Sequence, residues 1–529
     1  MHTYDGPGRS AAYASTAMCA TSHQLGALTA NRVLQDGGNA VDAAVAGAVV
    51  LGFCEPAMTG LGGDVFAMIH DPTTDTITGL NGSGRAPAAL DAARLRTEGH
   101  ATIPLNSVHA VTIPGAVDAF DRLVRDHGRL SLSDVLEPAI RHARSGVPVH
   151  RRPAIDWRTF ADRLQGDGRR HFLKDGRPYE EGELFASEAQ AQALELIARE
   201  GADAFYRGAI MEDMLETLRE AGGVHTPEDF GSVEASPAAP ISRTYRGHEM
   251  IELPPNGQGA TALMIAGILE RFDIGALDPV SPERLHLEAE ATRLAYAARN
   301  RLIGDPGEGA LDLSEMLSDR SLDALANSID PMRAQLDREP RAEALHRDTV
   351  YITVVDGDGL AVSLIYSTFW PFGSGLASKR FGISLHNRGA GFSLEEGHVN
   401  ALRGGKRPLH TLIPGFMRKA GEYVMPFGVM GGAYQATGHA HFVSNLVDYG
   451  MDPQAAIDDP RSFFDISTGG LGIEKNVPEQ TAARLAEMGH NVARVPIGMG
   501  GAQAIRRDWR TGILCGGTDP RKDGVALGY

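Results

Sequence analysis

Hydrophobic and polar positions divide the chain into a helix-rich first part and a strand-rich last part. The segment HQLGALTANRVLQDGGNAVDAAVAGAVVLGF, residues 23–53, predicts two helices separated by DGG at 36–38. In the second helix, residues 40–51, apolar side chains occur on nearly every side, with Asn39 placed to cap its start. We therefore expect this helix to be buried by packing.

Further elements follow from the same periodicities. Short apolar runs predict a strand pair at 66–70 and 77–80, and residues 115–215 are mostly helical in pattern. A strand at 245–253, a helix at 257–269 and a long amphipathic helix ended by Gly304 and Pro306 come next. Residues 310–347 are charged and without a strong period, which predicts a solvated linker.

The pattern changes abruptly after this linker. TVYITVVDGDGLAVSLIYS, residues 349–367, consists of two β-rich runs around DGDG and predicts a hairpin. Residues 425–450 then predict a strand, a glycine turn and a helix. Strands and helices in segregated runs favour an α+β fold, a sandwich of sheets covered by layers of helices.

Composition narrows the function classes. The 529 residues carry a formal charge of −17, and an acidic surface repels phosphate, which argues against nucleic-acid or anionic-membrane binding. No apolar run approaches the length of a membrane span. The three cysteines are scattered, and the N-terminus lacks a basic stretch followed by an apolar one. We expect a cytoplasmic protein without a disulfide framework.

Several familiar catalytic motifs are missing from the sequence. We find no GxSxG elbow, HExxH, P-loop or zinc-type cysteine and histidine spacing. His439 and His441 are two residues apart, so a helix would place them on different faces. The sequence therefore predicts neither a metal site nor a cofactor.

Thr349 has two interpretations from its local sequence. It follows Asp348 at the start of an apolar strand, where a threonine of no chemical role is common. Alternatively, its hydroxyl is a nucleophile whose base is its own free α-amine, with a pKa near ~7.7–8. Exposing that amine requires the chain to cut itself between Asp348 and Thr349, by attack of the hydroxyl on the preceding carbonyl.

Ordered motifs across residues 14–529 decide between these interpretations, because together they resemble the γ-glutamyltransferase family of N-terminal-nucleophile hydrolases. The motifs are DGGNAVDAAVAGAVVLGFCEP, TGLGGDVF, GRAPAA, VTIPGAV, YRGHEMIELPPNGQGATAL, EATRLAYAARNRLIGDP, TVYITVVDGDGLAVSL, FGSG, NRGAGFSL, GKRPLHTLIP, GGAYQATGH and TDPRKDGVALGY. The resemblance implies a four-layer αββα sandwich and a precursor cut into a large subunit, 1–348, and a small subunit, 349–529. It implies no cofactor.

The resemblance also implies roles for the catalytic residues. Thr349 is the expected nucleophile, and the family's second hydroxyl falls on Ser367. The family's paired glycines, whose N–H groups form the oxyanion hole, fall on Gly431 and Gly432.

The family's substrate pocket matches less well. Its carboxylate-binding arginine falls on Ser83, its asparagine on Phe369 and its amine-binding aspartate on Gly391. Arg85 and Arg388 lie nearby in sequence, and the family's paired serines become His410 and Thr411. These four residues are the expected substrate binders, with a structural ion pair or a core-edge histidine as the alternative for the charged ones.

NRGA-FSL and the PxHT-type segment are similar to the oxamate amidohydrolase-like branch of the family. The predicted function is self-processing followed by hydrolysis of a small amide that bears a carboxylate. Two alternatives stay open, a γ-glutamyl hydrolase or transferase and a binding homologue that does not process. The expected partners are the small-molecule substrate and the two subunits of one precursor, with a dimer of such heterodimers left open.

Overall fold

Two seven-stranded sheets form the centre of the molecule in the computed structural model, which describes residues 8–307, 312–335 and 349–529. In chain order the strands are β1 (Ala12–Ala14), β2 (Met18–Thr21), β3 (Asp64–Asp71), β4 (Thr76–Gly82), β5 (Val147–Pro148), β6 (Leu184–Phe185), β7 (Ser236–Pro237), β8 (Ile241–Tyr245), β9 (His248–Glu252), β10 (Val350–Val355), β11 (Ala361–Ser367), β12 (Gly415–Lys419), β13 (Tyr423–Met430), β14 (Ser462–Asp465), β15 (Gly470–Ile473), β16 (Asn491–Arg494), β17 (Gly501–Asp508), β18 (Leu514–Thr518) and β19 (Val525–Gly528).

The helices lie between and around these strands. They are α1 (Gln24–Gln35), α2 (Ala40–Cys54), α3 (Ala92–Thr97), α4 (Ala116–His127), α5 (Leu132–Ser145), α6 (Arg151–Phe160), α7 (Gly166–Phe172), α8 (Glu188–Glu200), α9 (Asp203–Tyr206), α10 (Ala209–Glu220), α11 (Pro227–Gly231), α12 (Gly259–Leu269), α13 (Pro282–Leu302), α14 (Asp319–Ser328), α15 (Tyr434–Asp448), α16 (Pro453–Asp458) and α17 (Glu479–Glu487). Short 3₁₀ turns occur at Val108–Ala110, Ala161–Arg163, Ile274–Ala276 and Arg388–Gly391.

The two large sheets face each other and each is covered by helices. One has the strand order β1-β18-β17-β13-β12-β9-β8, and the other has β19-β2-β10-β11-β3-β4-β7. An apolar cluster that includes Tyr351, Phe416 and Ile505 fills the space between them. The outer face of the second sheet packs against a layer that contains α1, α2 and α5, and α12, α13 and α15 cover the first. This order of layers confirms the predicted αββα sandwich.

Helices α1 and α2 show why the first part of the chain folds as its sequence predicts. The Asn39 side chain accepts hydrogen bonds from the backbone N–H groups of Val41 and Asp42. The Asp42 carboxylate in turn accepts from the Asn39 N–H, which completes a capping box. Fourteen of the fifteen residues of α2 are buried, because the helix packs against both α1 and strand β10.

The hairpin predicted after the linker is formed by β10 and β11, which pair antiparallel with Val350 opposite Tyr366. Strand β11 continues the sheet on its other side, where Ser367 pairs with Asp64 at the start of β3. The start of β10, the end of β11 and the start of β3 therefore lie at the same edge of the sheet.

Two predicted segments differ from the structure. The supposed linker contains a helix, α14, because Leu322 and Ala326 share one face and are buried against neighbouring elements. The single strand expected at 245–253 is the second half of a hairpin, β8 and β9. Its turn is made by Arg246 and Gly247, both at positive φ, which the periodicity alone does not reveal.

No helix in the described ranges combines the length and the apolar character that crossing a membrane requires.

Candidate active site

Thr349 immediately precedes the central strand β10 and is fully buried. The register pairs Val350 with Tyr366, so Thr349, one residue earlier, lies opposite Ser367. The Ser367 hydroxyl accepts a hydrogen bond from the Phe369 backbone N–H at 2.8 Å. Phe369 itself has φ +79°, a conformation that is strained for a side-chain-bearing residue and is typical of functional sites.

The turn formed by Gly431 and Gly432 joins β13 to α15. Both residues have positive φ, +126° and +58°, and the value at Gly431 is one that only glycine adopts readily. The Gly431 carbonyl accepts from the Tyr434 N–H, and the Gly432 carbonyl accepts from the side chain of Gln258 at 3.1 Å. The turn is therefore held in one conformation at the start of α15.

Helix α15 also contacts Thr349 directly. Gln435 donates a hydrogen bond from its side-chain amide to Thr349 Oγ1 at 3.4 Å and accepts one from the Ile413 N–H at 3.1 Å. Gln258 donates to the Thr411 carbonyl at 2.9 Å as well as to Gly432. Two buried glutamines thus connect Thr349 and the glycine turn to the segment that contains residues 411–413.

Arg388 is completely buried beside this segment. Its Nη1 donates to Thr411 Oγ1 at 2.9 Å, and its guanidinium carbon lies 4.1 Å from the centre of the Phe369 ring. Its Nε and Nη2 have no hydrogen-bond partner among the described residues. These two donors form the side-on fork of a guanidinium, which matches the two oxygens of a carboxylate. Burial lowers the pKa of Arg388 to about 9, so the group remains charged at neutral pH.

Asp64 is a buried carboxylate whose negative charge acts on Arg388. Its Oδ1 accepts from the backbone N–H groups of Gly84 and Gly115, each at 3.1 Å. Its Oδ2 lies 3.1 Å from His410 Nε2 and 3.4 Å from His386 Nδ1. Burial raises the pKa of Asp64, but the charge that His386 carries when protonated, the hydrogen bond from His410 and the charge of Arg388 outweigh burial and lower it to about 2.

His410 is neutral in this cluster. Its Nδ1 accepts from the Leu412 N–H at 3.3 Å, so its proton is on Nε2 and is donated to Asp64. Burial, followed by the nearby charge of Arg388, lowers the pKa of His410 to about 3. The structure therefore places His410 against a carboxylate of the protein, which corresponds to the structural alternative for this residue.

The remaining predicted residues divide into two groups. Thr411 contacts Arg388 and so lies in the cluster. Arg85 does not: its side chain is 44% exposed and forms contacts with Asp305 at 3.5 Å and the Gly405 carbonyl at 3.0 Å. Asp348, on the other side of the predicted cleavage site, lies outside the described residues.

Sequence reasoning did not find Asp64, His386, Gln258 or Gln435. Each is a fully buried polar residue inside or next to an apolar segment. A signal existed for Asp64, which follows two glycines and begins an apolar strand where a charge is costly unless it is paired.

Comparison with known proteins identifies the family of the chain. Residues 26–529 match the family Gamma-glutamyltranspeptidase. The chain is 37% identical to the glutathione hydrolase-like YwrD proenzyme of Bacillus subtilis and 34% identical to the oxamate amidohydrolase proenzyme of Klebsiella pneumoniae. In both cases the alignment covers 97% of this chain and 98% of the relative.

A solved structure, the cephalosporin acylase from Bacillus halodurans, superposes with a TM-score of 0.92 at 36% identity, covering 100% of this chain and 99% of the acylase. These relatives are hydrolases and an acylase, two of them named as proenzymes, and the fold of the solved acylase is that of the predicted class. The resemblance inferred from the sequence motifs is confirmed. The chain belongs to the γ-glutamyltranspeptidase family of N-terminal-nucleophile hydrolases.

Proposed function

We propose that this protein is a self-processing threonine amidohydrolase that cleaves a small amide bearing a carboxylate, with an oxamate-like compound as the favoured substrate. Cleavage between Asp348 and Thr349 yields a large chain, 1–348, and a small chain, 349–529. Thr349 is then the nucleophile of both reactions.

The observation that carries the substrate class is the side-on fork of Arg388. Two N–H donors of a charged guanidinium are buried without a hydrogen-bond partner in the part of the chain that the structure describes. Leaving buried donors unpaired costs about 1–3 kcal/mol or more for charged groups, which a substrate carboxylate would recover. Thr411 and the Phe369 ring hold the guanidinium from two sides, so the fork is ready before a ligand arrives.

The reaction follows from the arrangement around Thr349. The α-amine freed by processing takes the hydroxyl proton while Oγ attacks the amide carbonyl, and the N–H groups of Gly431 and Gly432 stabilise the oxyanion. The proton passes to the departing nitrogen, which leaves as ammonia or an amine. Water then hydrolyses the acyl ester and regenerates Thr349; an amine in its place would give transfer.

The charge arrangement favours substrates without an ammonium group near the carboxylate. Residue 391, where the family has an amine-binding aspartate, is glycine. Asp64 is negative, but one of its oxygens already accepts two backbone N–H groups and the other accepts from His410. A γ-glutamyl amine would therefore find no available carboxylate in this cluster.

A substrate panel with two variants tests the proposal. Purified protein is assayed with oxamate and with γ-glutamyl-p-nitroanilide, and its chains are weighed by mass spectrometry. We expect a new N-terminus at Thr349, turnover of oxamate, and loss of both in Thr349→Ala. Arg388→Lys keeps a positive charge but loses the fork, so KM for oxamate should rise by about 10- to 100-fold.

Two results would overturn the proposal. Strong turnover of the γ-glutamyl compound and none of oxamate would contradict the substrate class. Processing that continues unimpaired in Thr349→Ala would contradict the nucleophile, and a full-length band unchanged on incubation would favour a binding homologue.

Cellular location and assembly belong to the same proposal. The described cysteines, Cys19, Cys54 and Cys515, are all buried thiols without a disulfide, which supports a cytoplasmic location. The two chains of one precursor form the proposed heterodimer, and size-exclusion chromatography with light scattering would show whether it dimerises.

A further inference from the structure

We infer that His386 determines the charge specificity of this site by taking up a proton when a carboxylate binds to Arg388. The inference rests on the proposed function, because it concerns the same substrate carboxylate. It assigns a role to a residue that the chemistry at Thr349 does not use.

The hydrogen bonds of His386 define where its proton is before substrate binds. Its Nε2 lies 2.8 Å from the Thr112 carbonyl, which can only accept, so Nε2 carries a hydrogen. Its Nδ1 is buried, faces Asp64 Oδ2 at 3.4 Å and has no hydrogen-bond partner among the described residues. A lone pair therefore stands opposite a carboxylate, and a single added proton would convert this repulsive contact into a charge-assisted hydrogen bond.

The neighbouring charges explain why that proton is absent without substrate. Two charged groups lie near His386: Asp64 at the start of β3 and Arg388 in the same loop. His410, from the segment before β12, is also close but is neutral. His225, just before α11, is the next titratable group, and its Nε2 donates to the Val111 carbonyl. Arg388 and Asp64 offset each other, so a charged His386 would leave an uncompensated buried cation. Burial and Arg388 lower the pKa of His386, and Asp64 opposes them.

Binding of a carboxylate reverses this balance. With a monoanion on the Arg388 fork, Arg388, Asp64 and the ligand sum to one negative charge among fully buried side chains. One proton from solvent, bound at His386 Nδ1, restores neutrality and satisfies both Nδ1 and Asp64 Oδ2. No covalent bond is broken, and the proton returns to solvent when the anionic product leaves. A neutral ligand of the same shape would take up no proton.

Calorimetry of glycolate binding tests the inference on the processed wild-type enzyme. Glycolate is a small monoanion that carries one carboxylate, as oxamate does, and has no amide to cleave. Titrations in MOPS and in Tris, which differ in ionisation enthalpy, give the number of protons taken up per ligand. We expect a value approaching one near neutral pH, and a corresponding fall in affinity of up to about tenfold for each pH unit between the pKa of His386 in the free enzyme and its higher pKa in the complex.

Two variants make the test specific. His386→Gln retains a donor of similar size but cannot be protonated, so uptake should fall to near zero. His225→Gln is the matched control, a neighbouring buried histidine whose replacement should leave the uptake unchanged. Should His386→Gln fail to fold, His386→Asn takes its place, and the pH dependence of glycolate affinity in both proteins gives the proton number independently.

The outcomes separate the inference from the proposed function. Glycolate binding that depends on Arg388 but takes up no proton, or takes up the same number in His386→Gln, overturns the inference alone. Absent binding, or binding that Arg388→Lys leaves unchanged, overturns the proposed function and the inference with it.

Discussion

Gln435 donates a hydrogen bond to the hydroxyl of Thr349 across the two layers of the sandwich. Gln435 is on α15, which covers the first sheet, whereas Thr349 begins a central strand of the second. The same glutamine accepts a hydrogen bond from the Ile413 backbone N–H, so it positions the proposed nucleophile relative to the proposed substrate-binding segment.

Replacing this glutamine with leucine should therefore impair catalysis more than substrate binding. A neutral hydrogen bond contributes about 1 kcal/mol, so Gln435→Leu should lower kcat by about fivefold to tenfold with little change in KM. Gln454→Leu is the matched control, because Gln454 is equally buried and bonds both backbone groups of Thr518. Steady-state kinetics should show reduced kcat only in the first variant; equal kcat in both would contradict the positioning role.

Gly431→Ala should strongly reduce activity. A Cβ at this position would lie 3.0 Å from the Gly500 backbone, and φ of +126° is unfavourable for alanine, so the turn and its N–H groups must shift. Loss of an oxyanion donor costs roughly 2.7–4 kcal/mol, which predicts a fall in kcat of about 10²- to 10³-fold.

Gly421→Ala separates this effect from ordinary strain. Gly421 also has positive φ, +70°, but a Cβ there would meet nothing within 4 Å. Its melting temperature should fall modestly while kcat stays at the wild-type value. If both variants lose stability and activity in proportion, the glycine turn has no special role in the reaction.

Asp64 should stabilise the fold in a defined pH range. The pKa of Asp64 in the folded protein is about 2, below the ordinary value of about 3.9. The neighbouring groups therefore stabilise the ionised carboxylate in the native state. The stabilisation is present above the ordinary pKa and is lost as pH falls through the folded pKa. Asp64→Asn should therefore cost roughly 2 kcal/mol in urea unfolding at pH 6 and progressively less towards pH 2. A difference that does not change with pH would contradict the assignment.

His490 should make the protein sensitive to mild acid. Its Nε2 donates to His286 Nδ1 at 2.8 Å, because His286 Nε2 is itself held by the Asp330 carbonyl at 2.8 Å. Burial, then His286 and Arg293, lower the pKa of His490 to about 4.

The unfolded chain therefore binds a proton at a higher pH than the native protein, and stability falls as pH decreases from about 6.5 to 4. His490→Gln keeps the donor without the titration and should lose less stability than the wild type over that interval, by up to roughly 3 kcal/mol. Parallel urea titrations at pH 7 and 4.5 measure it; identical pH dependence would show that another group is responsible.

The main elements were predictable because their signals are local. The capping box of Asn39 and the DGDG turn between β10 and β11 each lie within a few residues, where periodicity and turn chemistry apply. The αββα order and the positions of Thr349 and the glycine turn required the resemblance, since no local pattern distinguishes a nucleophile from any strand-start threonine.

The substrate cluster was less accessible to sequence reasoning. Asp64, His386 and His410 come from distant parts of the chain, and only the register of β3 against β11 brings the first of them to the site. Arg85 lies within a matching motif, yet its partly exposed side chain is directed to Asp305. Position along the chain does not fix the direction of a side chain.

The strand order determines what would hold the two chains together after the proposed cleavage. Strand β10 lies between β2 and β11, β19 also pairs with β2, and β1 and β9 join strands of the other sheet. A cut before residue 349 would thus yield two polypeptides that each contribute strands to both sheets. Backbone hydrogen bonds between their strands would hold them together without a covalent link. Once denatured, the two separated chains would have to associate again before refolding. The proposed processing would therefore leave a native state that is preserved chiefly by slow unfolding.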